Sequence, residues 1–331
     1  MTHDGHCLGN QTCTSDADYL QKYVASVAEA PVAQEPYRVV AVIEACCGAA
    51  QLADTLRSRG WKVDLAHPGY TNRLKKSPDK SDKQDAELLA DLVRVGYVPS
   101  VWLPLEPLRQ LHSLFRYRQQ WADRRRQTKQ RIHGLMRESG LRLAGGAWTR
   151  KWHSELQGRL AELGEQRCWI VQRELETLVE IDAQIKEIEL RLTQATATDL
   201  IAVQLRKEKG VGLITAAARR AEIGDFGRFA KGKQLSRYCG LTPRDRSSGE
   251  RQIEAGFVRA GNRRLRLILI EAAHRLARHE PRPKQLCDRL MRNGHSRNEA
   301  VVAVANRWVR WLHHRMVAVE IAVEQEAPLA A

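Results

Sequence analysis

The pattern of apolar positions predicts a strand-helix-strand unit near the start of the chain. Residues 37–45, YRVVAVIEA, are β-branched and apolar almost throughout, as in a strand buried on both faces of a parallel sheet. Residues 49–59 have helical spacing that stops at Gly60, and residues 61–67 have the pattern of a second strand. Open sheets of this kind bind ligands beyond the carboxyl ends of their strands, which is where Glu44 lies.

Helical spacing dominates the rest of the chain. Ser81, followed by Gln84 three residues later, predicts a capped helix that ends near Gly96. Apolar positions at alternating spacings of three and four predict a long helix over 155–193. This spacing has two interpretations: a coiled coil that separates two domains, or a helix packed on its own domain. The seam consists of Val171, Leu175, Leu178, Ile181, Ile185, Ile188 and Leu192.

The length of 331 residues suffices for two ordinary domains. The pattern predicts an α/β domain over 1–105, followed by a basic helical region and coiled-coil linker over 106–197. A mostly α-helical domain follows over 198–320, and 321–331 form a frayed tail.

Charge points to a polyanionic partner. The chain has 54 Lys and Arg against 39 Asp and Glu, a formal net charge of +15. Ribosomal proteins share this property, so charge alone does not decide. No apolar run approaches the ~20 residues of a membrane span, and the start lacks the order of a signal peptide, so we predict a cytoplasmic protein. Seven cysteines without zinc-site spacing are expected to be reduced thiols.

The strongest basic stretch is 107–151, with twelve Lys or Arg against two acids and with aromatic residues interleaved. Its density predicts contacts to nucleic-acid phosphates, although a solvated helix face would have a similar composition. The candidate residues are Arg124, Arg125, Arg126, Lys129 and Arg131.

Two segments of the last third also predict nucleic-acid contacts. Gly210-Val211-Gly212 before a helical run resembles the hairpin of helix-hairpin-helix modules, whose backbone amides hold a phosphate. A later helix begins with polar residues and has an apolar opposite face, and the alternative there is again a solvated face. Its candidates are Asn262, Arg263, Arg264 and Arg266.

Three carboxylates form a candidate metal site. Asp82 and Asp85 project from nearly one face at the start of a helix, and Glu44 ends a neighbouring strand. Such a set suits hard cations, and two Mg²⁺ ions could assist phosphoryl transfer. The alternative is that Asp82 complements the helix dipole and Asp85 pairs with a lysine.

A serine pair lies in a basic, turn-prone loop. Ser247 and Ser248 precede Gly249, with Arg246 directly before them. Neighbouring arginines could hold a phosphodiester for serine attack. An ordinary turn is the alternative.

Together these segments resemble the DEDD transposases of the insertion sequence 110 family over nearly the whole chain. VIEACCGA around Glu44 and KSDKQDA at 80–86 are similar to the family's nuclease motifs. KGVGLITA at 209–216, EIGDFGRF at 222–229, GLTPRDRSSG at 240–249 and AGNRRLR at 260–266 are similar to its transposase domain.

The resemblance implies an α/β RuvC-like (RNase H-like) amino-terminal domain, a long coiled-coil helix and a mostly α carboxyl-terminal transposase domain. Glu44, Asp82 and Asp85 would hold Mg²⁺, two ions in all, and Ser248 would be the nucleophile, with Ser247 as the alternative. It further implies DNA as substrate, a structured guide RNA, and a homo-oligomer, dimer or tetramer, assembled through the coiled coil. Such a protein would be bacterial and would associate with the nucleoid when bound to DNA.

The chain departs from the family pattern in two places. Lys209 stands where a proline is common, and no opening strand with a first aspartate precedes Glu44. Asp4-Gly5 is typical of a hairpin turn, which predicts that 6–12 form the second strand of the sheet. Asp16 and Asp18 would then start a helix that reaches Val27. We therefore expect a reading frame that begins inside the nuclease domain and a catalytically defective product.

Two other functions fit the same residues. A non-catalytic nucleic-acid-binding protein would use the basic surfaces without cutting. A nuclease of the junction resolvase type would use the carboxylates without the serine.

Overall fold

The computed structural model describes residues 1–28, 38–74, 81–245, 254–257 and 261–326. The chain divides into two compact units, Met1–Pro104 and Leu105–Ala331, which we call the first and second unit.

The first unit contains the predicted strand-helix-strand. β1 (Val40–Glu44) runs parallel to β2 (Lys62–Ala66), and α2 (Ala49–Ser58) connects them. β3 (Ser100–Val101) adds antiparallel to the other edge of β2. The parallel pairing follows from the helical crossover, which returns the chain to the same end of the sheet.

The expectation that the first strand is buried on both faces is wrong. Val40 is 41% exposed, and the remaining residues of β1 are only partly buried. Within the described sheet β1 pairs with β2 alone, so it is an edge strand and its side chains are covered incompletely. The unit's apolar core forms instead between the sheet, α1 (Ala17–Ala28) and α2.

The predicted strand over 6–12 is also absent from the described residues. The turn predicted before it is present, with Gly5 at φ 88°. The segment that follows is held by a side chain rather than by a strand ladder. Asn10 Nδ2 donates to the carbonyl of Lys83 at 3.1 Å and to a carboxylate oxygen of Glu87 at 2.7 Å. These bonds fix the segment to the helix that contains both partners.

The predicted helix after Asp16 is confirmed by α1. Asp16 Oδ1 accepts a hydrogen bond from the backbone N–H of Asp18 at 2.8 Å, and Asp18 pairs with Arg59. Three further short elements complete the described part of the first unit: α3 (Pro68–Thr71), a 3₁₀ turn (Asn72–Leu74) and α4 (Asp82–Arg94).

A long helical hairpin opens the second unit. α5 (Glu106–Glu138) and α7 (Glu165–Ala195) pack antiparallel, joined through α6 (Arg150–Arg159) and a 3₁₀ turn (Leu160–Leu163). The single helix predicted over 155–193 is therefore wrong at its start. Gly164, with φ 80°, separates the 3₁₀ turn from α7, because that backbone conformation cannot continue a helix.

The apolar seam of α7 faces the same chain. Val171 and Leu178 pack with Ile132 and Met136 of α5, and the seam continues toward Leu192 at the other end. Of the two interpretations of this seam, the structure shows a helix packed on its own unit, and it does not show the long separate coiled coil. The seam residues bury their side chains against α5, which offers the same helical apolar spacing.

The last third is mostly helical, as predicted, around one core cluster. Its helices are α8 (Leu200–Lys207), α9 (Leu213–Ile223), α10 (Gly232–Tyr238), α11 (Arg263–His279), α12 (Pro281–Arg292) and α13 (Arg297–Glu326). A two-stranded sheet, β4 (Pro243–Asp245) with β5 (Glu254–Phe257), precedes α11. Across the described helices, none has the length and apolar character that a membrane span requires. All seven cysteines are free thiols, as expected.

Candidate active site and nucleic-acid interface

Glu44 is the last residue of β1 and pairs in register with Ala66 of β2. The carboxylate is thus at the carboxyl end of two adjacent parallel strands, as the strand pattern predicts. Its side chain is half-buried. This is the end of an α/β sheet at which ligands commonly bind.

α4 supplies the other two carboxylates. The Ser81 hydroxyl accepts a hydrogen bond from the backbone N–H of Gln84 at 3.5 Å, which confirms the predicted cap. Asp82 and Asp85 lie in the first turn, Asp82 exposed and Asp85 half-buried. α4 packs against β1, so the helix start and the strand that ends at Glu44 belong to neighbouring elements.

The donor chemistry of these residues suits a divalent cation, because carboxylate oxygens are the ligands that Mg²⁺ prefers. Within the residues that the structure describes, no three His, Cys, Asp or Glu side chains stand close enough together to hold a metal ion. The carboxylate donors and their positions on β1 and α4 therefore fit a magnesium site. Among the described residues, however, these donors do not form an assembled ligand cluster.

Ser247, Ser248 and Arg246 lie outside the described residues. The nearest described elements on either side are β4 and β5.

The predicted phosphate-binding arginines of α5 have partners in the same chain. Arg125 Nη1 lies 3.1 Å from Asp182 of α7, and Arg131 pairs with Glu174 of α7. Arg126 pairs at 3.0 Å with the acid three residues before it. Much of the charge on this helix is thereby neutralised internally, which spacing along one helix could not indicate.

The two other candidates of that stretch lie over aromatic rings. The Arg124 guanidinium lies 4.7 Å from the ring centre of Trp121, and Lys129 Nζ lies 4.5 Å from that of Trp148. Such cation–π contacts leave the charge in place, so these two side chains still present positive potential.

Gly210 and Gly212 precede α9 as the spacing predicts. Gly210 has φ 74°, and a Cβ added there would lie 3.0 Å from Cδ2 of Leu276. Gly212 is the N-cap of α9 in an extended conformation, with no atom within 4 Å of an added Cβ. Gly210 is therefore needed for its left-handed backbone conformation and its close packing, whereas a side chain at Gly212 would meet open space.

Of the four candidates at the start of α11, two form hydrogen bonds within the chain and two are exposed. Asn262 caps the helix, with its Oδ1 accepting from the N–H of Leu265 at 3.0 Å. Arg266 donates to the carbonyl of Gly240 at 3.2 Å. Two exposed cations remain at the helix start, Arg263 and Arg264.

A buried carboxylate behind Asn262 was not predicted. Glu222 accepts a 2.5 Å hydrogen bond from Asn262 Nδ2, and its other oxygen lies 3.3 Å from His112 Nε2 and 3.7 Å from Arg116 Nε. Burial raises the pKa of Glu222, but the His112, Asn262 and Arg116 contacts outweigh burial and the pKa is lowered below its usual value. No sequence spacing links α5 to α9, so only the tertiary structure reveals this cluster.

Arg219, also missed from the sequence, is fully buried, and its guanidinium lies 3.9 Å from the ring centre of Trp308. Among the described residues its three nitrogens have no hydrogen-bond partner. Burial lowers the pKa of Arg219 to about 9, against the opposing effects of Cys239 and Glu208. Two adjacent arginines in α9, Arg219 and Arg220, give no sequence signal of which one is buried.

Two known protein families match segments of this chain. Residues 1–140 match a transposase family of the DEDD type from insertion sequence IS110, and residues 202–288 match the IS116/IS110/IS902 transposase family. The chain belongs to the IS110 family of transposases. The resemblance drawn from the motifs is confirmed at this level.

Curated relatives agree with this assignment. The transposase for insertion sequence element IS1111A of Coxiella burnetii is 29% identical over 293 residues, covering 86% of this chain and 78% of the relative. A putative transposase of Sinorhizobium fredii is 30% identical over 66% of this chain and 53% of its own length. The transposase for element IS1328 of Yersinia enterocolitica is 25% identical over 82% and 81%, respectively.

Proposed function

We propose that this transposase cleaves and transfers the DNA strands of an insertion sequence by metal-assisted, serine-dependent chemistry, guided by a structured RNA. One observation carries the proposal: the two family matches fall on the two segments that contain the candidate groups. The match over 1–140 includes Glu44, Asp82 and Asp85, and the match over 202–288 includes Ser248.

In this proposal Glu44, Asp82 and Asp85 hold Mg²⁺, as two ions. The ions would neutralise charge that develops on the phosphodiester oxygens during strand cleavage. The placement of Glu44 on β1 and of both aspartates on the neighbouring α4 supports the assignment.

Ser248 is the proposed nucleophile. Its Oγ forms a bond to phosphorus while one phosphodiester P–O bond breaks. The serine loses its hydroxyl proton, and the DNA end that leaves gains one as a free hydroxyl. The arginine at 246 would stabilise charge on the phosphate.

In this proposal the basic surfaces bind nucleic acid. The active protein is a homo-oligomer, either a dimer or a tetramer. The exposed Arg263 and Arg264 support DNA or RNA contacts at the start of α11. Because the α7 seam is buried against α5, we place the contact between subunits on another face.

The test is a covalent protein–DNA adduct. Purified protein, co-expressed with element RNA, is incubated with labelled element-end DNA and Mg²⁺, and adducts are separated on denaturing gels. In a version of the protein that is active, we expect an adduct that Ser248→Ala abolishes and that the neighbouring Ser247→Ala retains. Loss with Ser247→Ala alone moves the nucleophile by one residue. Cleavage without an adduct indicates a resolvase-type nuclease, and binding without cleavage indicates a non-catalytic protein.

A further inference from the structure

The α5–α7 hairpin has a separate apolar core at the end where α5 finishes and α7 begins. We call residues 129–171 the hairpin end. Trp148 lies there among aromatic rings, with ring centres 4.5 Å from Trp152, 5.2 Å from His133 and 5.8 Å from His153. The indole thus joins α5 to α6.

The backbone of Trp148 is strained. With φ 66°, it is the one non-glycine residue in the left-handed region across the described ranges. That conformation is unfavourable for an ordinary L side chain, because the Cβ approaches the following carbonyl oxygen. Strain of this kind persists only where packing enforces it, and it is frequent at functional sites. Here it places the indole beside the cations of α5.

Cations lie on the two helices that contribute to this aromatic cluster. Lys129, His133 and Arg137 follow one another at four-residue spacing and share a face of α5. Arg150 and Lys151 are exposed in the first turn of α6, where the helix dipole already contributes positive potential. In the part of the chain that the structure describes, Lys129, Arg137, Arg150 and Lys151 form no ion pair.

The middle of the same hairpin is different. Arg118 and Arg125 there each pair with an acid of α7, and Arg131, within the hairpin end, pairs with Glu174. Asp182, an acid that acts on Lys129, is itself paired with Arg125. Within the described residues, the cations without an ion pair in this hairpin are therefore concentrated at the hairpin end.

Two pKa shifts agree with such a field. Burial, and then the charge of Arg125, lowers the pKa of Lys129. Burial, and then the charges of Arg137 and Lys129, lowers the pKa of His133. An anion placed among these groups would relieve both repulsions.

We propose that the hairpin end is a phosphate-binding site for the backbone of a nucleic-acid strand, held by Lys129, Arg150 and Lys151 around Trp148. The proposal rests on the proposed function only for the nature of the partner. Arg125 and Arg131, which sequence density favoured, are excluded from this role by their ion pairs with α7.

The test compares two charge-matched double variants of the full chain. Arg150→Ala with Lys151→Ala removes two cations of the hairpin end. Arg173→Ala with Arg191→Ala removes two exposed cations of α7, each paired with an acid one turn away. Affinity for a labelled oligonucleotide, as single-stranded DNA, single-stranded RNA or duplex DNA, is measured from low to high salt.

We expect the hairpin-end variant to bind at least about tenfold more weakly at low salt. The slope of log affinity against log salt should fall by about 1.4–1.8, the effect of two lost phosphate contacts. The α7 variant should bind within about twofold of the parent. Equal losses in both variants would overturn the proposal, because they would indicate diffuse attraction to net charge. The three probes show which strand type the site prefers.

A second readout locates the contact. Bound oligonucleotide should slow modification of His133 and His153 by diethyl pyrocarbonate, followed by peptide mass spectrometry. The protection should disappear in the hairpin-end double variant, and its absence in the parent would also overturn the proposal. Neither measurement requires strand transfer, so this site and the Ser248 chemistry can fail independently.

Discussion

Arg118 of α5 donates two hydrogen bonds to the same carboxylate oxygen of Glu189 on α7, from Nε at 3.1 Å and from Nη2 at 2.6 Å. Seven residues later on α5, Arg125 repeats the contact with Asp182, seven residues earlier on α7. This register fixes the two helices antiparallel. It also removes cations from the surface that the sequence assigns to nucleic acid.

The pair of Arg118 and Glu189 is expected to stabilise the hairpin measurably, because both side chains are half-buried. A double-mutant cycle with Arg118→Ala and Glu189→Ala should give a coupling free energy of about 1 kcal/mol in urea unfolding. The exposed pair of Arg173 and Glu176 is the control and should give about 0.3 kcal/mol. Equal couplings would contradict the distinction.

Ile185→Asp should destabilise the second unit itself. Ile185 is 4% exposed on the α7 seam, so a carboxylate there is buried without a partner. We expect a loss of at least about 3 kcal/mol in free energy of unfolding. Val179→Asp on the same helix, at a position 71% exposed, should change it by under about 1 kcal/mol. A normally stable Ile185→Asp that changes only its light-scattering mass would restore the intermolecular interpretation.

Gly210→Ala should cost about 2 kcal/mol or more. The new methyl group combines a left-handed backbone with a 3.0 Å approach to Leu276. Gly212→Ala, two residues later in open space, should cost at most about 1 kcal/mol, the loss of a good N-cap residue. Chemical unfolding of both proteins measures the difference, and similar values would refute the assigned packing of Gly210.

Glu222 should make stability pH-dependent. Its pKa is lowered on folding, so its contribution is fully present above the ordinary value of 4.5 and is lost as pH falls through the folded pKa. Glu222→Gln should reduce the free energy of unfolding by on the order of 1–2 kcal/mol at pH 7. The gap between variant and parent should shrink below pH 4.5 in urea unfolding. A gap that stays constant with pH would show that the charge of Glu222 contributes nothing.

Asp82→Ala and Asp85→Ala should separate catalysis from binding in a version of the protein that is active. Each change removes a proposed metal ligand but hardly alters the basic surface, so strand transfer should disappear and oligonucleotide affinity should stay within about twofold. Asp91→Ala, which changes a carboxylate on the same helix outside the proposed set, is the control. Unimpaired strand transfer by both aspartate variants would remove them from the metal site.

The sequence alone determined those features that depend on local rules. Strand, helix and strand between Val40 and Ala66 follow from side-chain period and from Gly60, and the helix at Asp82 follows from its serine cap. The same rules placed Glu44 at a strand end and both aspartates in one helical turn. Motifs in a fixed order over both family segments indicated the transposase family, because such motifs are recognised from the order of residues alone.

Only the tertiary structure decided which surfaces meet. The α7 seam suits a second chain as well as α5, because a heptad pattern specifies an apolar face and not its partner. The segment 6–12 is held through Asn10 rather than in a ladder. Arg125 binds Asp182, and Glu222 lies beside His112. These contacts join residues far apart in the chain, and their energies depend on burial and distance, which no local pattern encodes.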